Sequence, residues 1–378
     1  MSISLSGPDI GQREKDLVNE VLDSGWLSMG KMIDRFEADF AEYIGTKHAI
    51  AVNSGTSGLH LLIRALGIEE GDEVITTPFS FIASSNCILF EKAKPVFVDI
   101  DPETLCIDPA KIKDAITDKT KAILPVDVFG QPANMTEIMK IAEEYDLKVI
   151  EDSCEAIGAE HKGRKVGTFA DASVFAFYPN KQMTTGEGGM IITDNDEVAK
   201  LCRSMRNQGR GQSDLWLDHV RLGYNYRLDE MSAAVGIAQL ERIEEILAKR
   251  AEVAEEYNRL LADVDEVKTL TIEESTTKMS WFVYVIQVAE KIDRDSVMNY
   301  LRDNGVSCKP YFTPIHLQPF YKEQFDYQRG DYPITEQVTD STIALPFYND
   351  LTKEEIETVV QVLKEAVTPP RAFGQEVS

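Results

Sequence analysis

The sequence has few basic residues, and this shortage excludes several kinds of partner. Its 39 Lys and Arg residues stand against 64 Asp and Glu residues, which gives a formal net charge of -25. So acidic a chain repels polyanions unless it carries a local basic patch, and the sequence contains no such patch. We therefore expect neither nucleic acid nor a membrane among its partners.

Paired cysteines and long apolar runs are also missing. The five cysteines lie far apart and form no CxxC pair, so the sequence predicts neither a zinc site nor a disulfide framework. The opening segment is too charged for a signal peptide, and no later run approaches the roughly 20 apolar residues of a membrane span. We expect a soluble protein of the reducing cytoplasm, with no bound metal.

Much of the sequence alternates between patterns typical of strands and patterns typical of helices. Between residue 49 and about residue 195, short β-branched runs alternate with helical patterns, which predicts an α/β fold whose mainly parallel sheet has helices on both faces. A long helical pattern follows, and beyond it the alternation ends. We predict a large domain over residues 1–246 and a smaller α+β C-terminal domain over residues 247–378. In such sheets ligands bind where the strands end.

One candidate binding segment contains Ser54, Gly55 and Thr56, between a predicted strand and a predicted helix. Free backbone N–H groups at a helix N-terminus favour a phosphate; the alternative is an ordinary helix cap. A second candidate is Asp152, which ends an apolar strand and could pair with a protonated ring nitrogen, although capping of the next turn is an alternative. Glu151 should point to the opposite face of the sheet.

Lys181 is the most informative candidate. It lies in a tight, glycine-rich and aromatic connection between two apolar strands, whereas most lysines lie on the solvated surface. A dry environment favours the neutral, nucleophilic form of an amine. A phosphate cradle, a carboxylate at a strand end and a shielded lysine are the groups that pyridoxal phosphate needs.

Four segments together resemble the DegT/DnrJ/StrS family of sugar aminotransferases: SGTSGLH, VIEDSCEAIGA, FAFYPNKQMTTGEGGM and GYNYRLDEMSAAVGIAQLERI. The resemblance covers nearly the whole chain and implies the aminotransferase type I fold with pyridoxal phosphate as cofactor. It also implies that Lys181 holds the cofactor covalently, Asp152 keeps its ring nitrogen protonated, and Gly55 and Thr56 hold its phosphate. Phe81 matches an aromatic residue that stacks on the cofactor ring, the alternative being an apolar helix face.

The resemblance extends to the partners of the site. Asn225 matches a residue that similar enzymes lend to the neighbouring subunit's phosphate site, which implies a homodimer with shared active sites. Arg227 and His316 fall in motifs near the family's substrate cleft and are candidates for sugar or diphosphate contacts. The alternatives are that Arg227 braces its loop and that His316 is a hydrogen-bonded structural residue.

Two positions depart from the family pattern. Ala176 stands where many relatives have a serine that assists the phosphate, so one hydrogen bond worth about 1.5 to 3 kcal/mol is missing unless another group supplies it. Glu155 stands where relatives often have Gln or His near the cofactor's phenolic oxygen. A carboxylate there would repel that oxygen unless it were protonated or turned away.

The resemblance implies transfer of an amino group from glutamate to a nucleotide-linked keto sugar, for a surface glycan or a secondary metabolite. Tyr226 resembles enzymes that act at C4 of the sugar, such as perosamine synthases, while the segment RLDE is also similar to enzymes acting at C3; we favour C4. A sugar dehydratase of the same fold is the first alternative, but those relatives replace the lysine with histidine. A non-catalytic regulator is the second, and the intact Lys181 and Asp152 argue against it.

Overall fold

The computed structural model describes residues 2–211 and 218–368. These residues contain thirteen strands. In chain order they are β1 (His48–Val52), β2 (Glu73–Thr76), β3 (Lys94–Phe97), β4 (Thr120–Ile123), β5 (Lys148–Asp152), β6 (Glu160–His161), β7 (Arg164–Lys165), β8 (Ala172–Ala176), β9 (Gly189–Thr193), β10 (Val267–Thr269), β11 (Thr276–Lys278), β12 (Tyr284–Val288) and β13 (Thr342–Leu345).

The same described residues contain thirteen α-helices. They are α1 (Gln12–Ser24), α2 (Lys31–Ile44), α3 (Gly55–Ala65), α4 (Ala83–Phe90), α5 (Pro109–Ile112), α6 (Met135–Tyr145), α7 (Asp196–Arg206), α8 (Glu230–Glu241), α9 (Ile243–Leu261), α10 (Arg294–Asp303), α11 (Pro319–Phe325), α12 (Pro333–Ser341) and α13 (Lys353–Val367). No helix in this part of the chain combines the length and the apolar character needed to cross a membrane.

A seven-stranded sheet forms the centre of the molecule, in the order β1-β9-β8-β5-β4-β2-β3. Strands β3, β2, β4, β5 and β8 run parallel, and β9 pairs antiparallel with both β8 and β1. The predicted mainly parallel sheet is therefore confirmed. The carboxyl ends of its parallel strands meet at one edge, where ligands bind in sheets of this type.

Helices cover both faces of this sheet, as the alternation of its side chains shows. Ile50 and Val52 of β1 join one buried cluster with α3, α4, α6 and α7, while Ala49 and Ala51 join another with α1, α2 and α8. Successive strand residues point to opposite faces, and here both sets are apolar and buried. The prediction of helices on both faces is confirmed.

A smaller antiparallel sheet, in the order β10-β12-β13, packs with α9, α10 and α13 around a third buried cluster. Ile3 joins this cluster, and its N–H donates to the carbonyl of Gly305 at 2.9 Å. Strand β11 does not join this smaller sheet. It pairs with β6, a short strand that lies between β5 and β8 in the sequence. The boundary at residue 247 stays a prediction, because α9 crosses it without a break.

Candidate active site

A cavity of about 510 Å³ opens at the carboxyl ends of the parallel strands, between the large sheet and the segments around Phe282 and Tyr311. Its volume suits a small ligand. Eight of the residues singled out from the sequence line it: Ser54, Gly55, Thr56, Phe81, Asp152, Glu155, Ala176 and Lys181. Segments more than a hundred residues apart in the chain thus converge on one place.

The N-terminus of α3 forms one wall of the cavity. Ser54 caps the helix, since its Oγ accepts the N–H of Ser57 at 3.1 Å. The N–H groups at the start of a helix have no acceptor within the helix and can therefore bind an anion. A Cβ added to Gly55 would lie 2.8 Å from the Cβ of Ala176 and 2.9 Å from the Sγ of Cys154. A glycine is therefore required at this position. The segment caps α3 and also presents free N–H groups, so both interpretations, helix cap and anion-binding site, fit the geometry.

Asp152 ends β5 in the cavity wall, with a side chain that is almost completely buried. Its Oδ2 accepts the hydroxyl of Ser84 at 2.7 Å, and its Oδ1 accepts the N–H of Cys154 at 3.2 Å. Two donors therefore fix the orientation of the carboxylate. Ser84 was not singled out from the sequence; it lies in the first turn of α4, the helix that follows the carboxyl end of β2.

Lys181 lies in the connection between β8 and β9, and its side chain is only 12% exposed. Its Nζ lies 3.3 Å from Oε1 of Glu155 and 3.9 Å from the ring centroid of Phe282. The shielded environment predicted for this amine is confirmed. Sequence reasoning missed Phe282, which stands about a hundred residues away in the chain and carries no motif of its own.

Glu155 is buried and turned towards Lys181. Its second oxygen, Oε2, accepts the backbone N–H of Phe129 at 3.0 Å. Burial raises the pKa of this carboxyl, against the opposing effect of the Lys181 charge. Both oxygens of Glu155, one of the two residues that depart from the family pattern, therefore have partners in the structure.

Phe81 stands at the mouth of the cavity with 61% of its surface exposed. Helical packing does not account for an aromatic ring left in water at this position. The ring is therefore available to cover a planar ligand.

Asn225, Arg227 and His316 do not line this cavity. Asn225 is exposed, and its backbone pairs with Asn207. Nη1 of Arg227 donates to Oδ1 of Asn207 at 3.1 Å, as expected of a residue that braces its loop.

His316 is completely buried, with Nε2 lying 3.0 Å from Oε1 of Glu336. Burial lowers the pKa of its imidazole, against the opposing effect of Glu336. This is the environment of a hydrogen-bonded structural histidine. A contact between Asn225 and the cofactor phosphate of a neighbouring subunit stays a prediction, as do substrate contacts by Arg227 and His316.

Glu151, beside Asp152, carries a testable pH dependence. Its Oε2 accepts the N–H of Gly167 and the hydroxyl of Ser173, neither of which lines the cavity, so its side chain lies on the other face as expected. Burial raises its pKa to about 7. The carboxyl of Glu151 therefore ionises at a lower pH in the unfolded chain than in the folded chain. Between these two pKa values the free energy of unfolding falls as the pH rises.

Glu151→Gln should therefore gain stability relative to the wild type between about pH 5 and pH 8, by about 1 to 3 kcal/mol. Urea unfolding at several pH values measures this difference, and Glu290→Gln on the exposed surface is the matched control. A Glu151→Gln effect that stays constant with pH would contradict the buried-acid interpretation.

The chain resembles known proteins over most of its length, in both sequence and fold. The profile of the DegT/DnrJ/EryC1/StrS aminotransferase family matches residues 8–364. GDP-perosamine synthase of Caulobacter vibrioides is 39% identical over 369 residues, covering 97% of this chain and 98% of the relative. The spore coat polysaccharide biosynthesis protein SpsC of Bacillus subtilis is 36% identical over 373 residues, covering 95% and 96%.

Among solved structures, PseC of Helicobacter pylori, an aminotransferase involved in the biosynthesis of pseudoaminic acid, superposes with a TM-score of 0.93. It is 30% identical and the match covers 97% of this chain and 99% of that chain. The fold class expected from the sequence is therefore confirmed over almost the whole molecule.

Proposed function

The chain belongs to the DegT/DnrJ/EryC1/StrS aminotransferase family and is a sugar aminotransferase; from this premise we propose that it transfers the amino group of glutamate to the C4 keto group of a nucleotide-linked sugar. The observation that carries the proposal is the convergence of Lys181, Asp152 and the N-terminus of α3 on one cavity.

The cavity fits pyridoxal phosphate, the cofactor of this family. Gly55 lets the first turn of α3, which can bind a phosphate, pack closely against Ala176 and Cys154. Asp152 offers an oriented carboxylate, and Lys181 offers a shielded amine. When bound, pyridoxal phosphate supplies an electron sink for the carbon whose C–H bond breaks.

The chain's own residues do the remaining work. Lys181 would hold the cofactor covalently through its amine and would move a proton at the reacting carbon. Asp152 holds a proton on the ring nitrogen, since Ser84 and the N–H of Cys154 keep the carboxylate in place. The α3 N-terminus binds the phosphate, and Phe81 covers the ring.

The relatives support the class of substrate. Several are named GDP-perosamine synthase, which favours a nucleoside diphosphate sugar, and SpsC is named for polysaccharide biosynthesis. We therefore place a guanosine diphosphate keto sugar first among the candidate acceptors and an amino sugar for a polysaccharide as the product.

All five cysteines are free thiols, which supports a reducing compartment such as the cytoplasm.

The charge of the cavity supports a homodimer with shared active sites. Among the described residues that line it, Lys181 is the only cation, against the carboxylates of Asp152, Glu155 and Glu187. A cofactor phosphate, glutamate and a diphosphate are all anions, so this cavity needs further donors from a second copy. Asn225 is exposed and suited to that role, and a patch of large apolar side chains, Leu22, Trp26, Leu27 and Met29, is exposed on the same chain.

Amination of a sugar is the direct test. The purified protein, loaded with pyridoxal phosphate, is incubated with isotopically labelled glutamate and GDP-, UDP- and dTDP-linked keto sugars, and the sugars are analysed by mass spectrometry. We expect labelled nitrogen in a 4-keto acceptor. Loss of a hydroxyl group without nitrogen incorporation would establish the dehydratase instead, and label at C3 would correct the position.

A further inference from the structure

The amine of Lys181 is held between a carboxylate and an aromatic face. Nζ lies 3.3 Å from Oε1 of Glu155 and 3.9 Å from the centroid of the Phe282 ring. The side chain of Glu155 is 6% exposed, so water screens this pair weakly and the charge of the carboxylate acts strongly on the amine.

Phe129 anchors both sides of this arrangement. Its N–H donates to Oε2 of Glu155 at 3.0 Å, and its carbonyl accepts the N–H of Phe282 at 3.3 Å. The next residue, Gly130, has φ +95, and a Cβ there would lie 1.5 Å from the carbonyl oxygen of Ser280. The loop therefore depends on a glycine and holds the carboxylate and the ring at a set separation.

Two further side chains fix the backbone around the pair. Arg250 is buried and donates from Nε to the carbonyl of Trp281 at 2.7 Å and from Nη2 to that of Phe282 at 2.6 Å. Gln182, next to Lys181, donates to the backbone carbonyl of Glu155 at 2.5 Å. Such a supported arrangement limits where the amine can go.

We propose that Glu155 is a positioning residue for the nitrogen of Lys181: its carboxylate favours the protonated form of that nitrogen in the cofactor-loaded protein, and it receives the amine as an ammonium whenever the amine is not bonded to the cofactor. Before the amine reacts again, its ammonium passes one proton to Oε1 of Glu155. Ammonium and carboxylate thereby become amine and carboxylic acid, and the charge of the pair is conserved. The inference deepens the proposed function and rests on it.

The surroundings favour this exchange. Burial and the nearby charge of Asp152 raise the pKa of Glu155, while Lys181 and the N–H of Phe129 lower it. Burial, with a contribution from Glu155, raises the pKa of Tyr311 to about 12, and burial also raises that of the Cys154 thiol. Tyr311 and Cys154 therefore stay protonated and cannot accept the proton. The carboxylate of Asp152 already accepts a hydrogen bond from the hydroxyl of Ser84. Glu187, at the exposed rim, is the other carboxylate lining the cavity among the described residues.

Glu155→Gln tests the proposal, because the amide keeps an acceptor for Phe129 and removes the charge. A carboxylate beside a protonated nitrogen favours the protonated form. The pH midpoint of the visible absorbance of the cofactor-loaded protein should therefore fall by about 1 to 3 units in the variant. This titration needs neither sugar nor amino donor, and we also expect slower recapture of pyridoxal phosphate by the cofactor-free protein.

Glu187→Gln is the matched control, since it removes a carboxylate from the same cavity without a contact to Lys181, and its midpoint should match the wild type. Glu155→Asp, which keeps the charge, should have a midpoint nearer to the wild type than Gln. A Glu155→Gln midpoint equal to that of the control, or an Asp midpoint equal to that of Gln, would overturn the inference.

Failure of the proposed function is distinguishable, because it would appear as absence of labelled nitrogen in the sugar, whereas the absorbance titration needs neither sugar nor amino donor. If the Gln variant does not fold, the Asp variant decides: a midpoint near that of the wild type supports the inference, and a midpoint lowered by about 1 to 3 units, the shift expected for loss of the charge, overturns it. An Asp variant with a midpoint lowered but normal recapture would contradict positioning.

Discussion

Lys181→Ala is expected to lose amino transfer by at least about 10⁴-fold, because a general acid–base group contributes about 10² to 10⁴ and the covalent attachment disappears with it. The variant should also lack the visible absorbance of the wild type. Both are measured after incubation with pyridoxal phosphate, by labelled nitrogen in the sugar and by an absorbance spectrum.

The control for this prediction is Lys92→Ala, which removes an exposed lysine paired with Glu70 on the surface. It should keep the activity and the spectrum of the wild type. Lys181→Ala leaves the buried Glu155 without its cation, so we expect a lower melting temperature that is most evident at alkaline pH, where the carboxyl must ionise alone. A folded alanine variant that keeps a tenth of the wild-type rate, roughly a 1.4 kcal/mol change in barrier, would refute the role of the lysine.

Asp152→Asn should lower kcat by about 10² to 10³, the cost of removing one oriented electrostatic contact from an enzyme site. The amide has the shape of the carboxylate: its oxygen can accept the N–H of Cys154, and its NH₂ can donate to Oγ of Ser84. Cofactor binding should therefore survive while the reaction slows. The spectrum and kcat, measured on one preparation, separate the two effects.

Ser84→Ala is the matched control for Asp152, because it removes a hydrogen bond to the carboxylate and leaves the charge in place. A hydrogen bond to a charged group is worth about 1.5 to 3 kcal/mol, so its effect should not exceed that of Asp152→Asn. An asparagine variant within about tenfold of the wild type, or a serine variant that is more impaired, would show that the carboxylate does not act through its charge.

Local pattern was enough to predict the central sheet. Each strand is marked by a short β-branched run, and the side-chain alternation of β1 already assigns Ile50 and Ala51 to opposite faces. Because ligands bind at the carboxyl ends of parallel strands, the loops carrying Ser54, Asp152 and Lys181 could be named before their distances were known.

The groups that support these residues could not be predicted in this way. Ser84 lies in α4, Phe129 lies in a short connection after β4, and Phe282 belongs to a segment far along the chain, yet all three contact a central site residue. No local signal records such contacts, since they depend on how the segment around Phe282 packs against the large sheet.

The sequence by itself therefore determined the alternating fold, the family and the three groups that we propose bind the cofactor, because periodicity and motif spacing are properties of the chain. Only the tertiary structure decided that His316 is buried against Glu336 rather than lining the cavity, and that Glu155 faces the amine of Lys181. The physical reason is that burial and partner choice depend on packing between distant segments, which sets the solvent exposure and the pKa of each group.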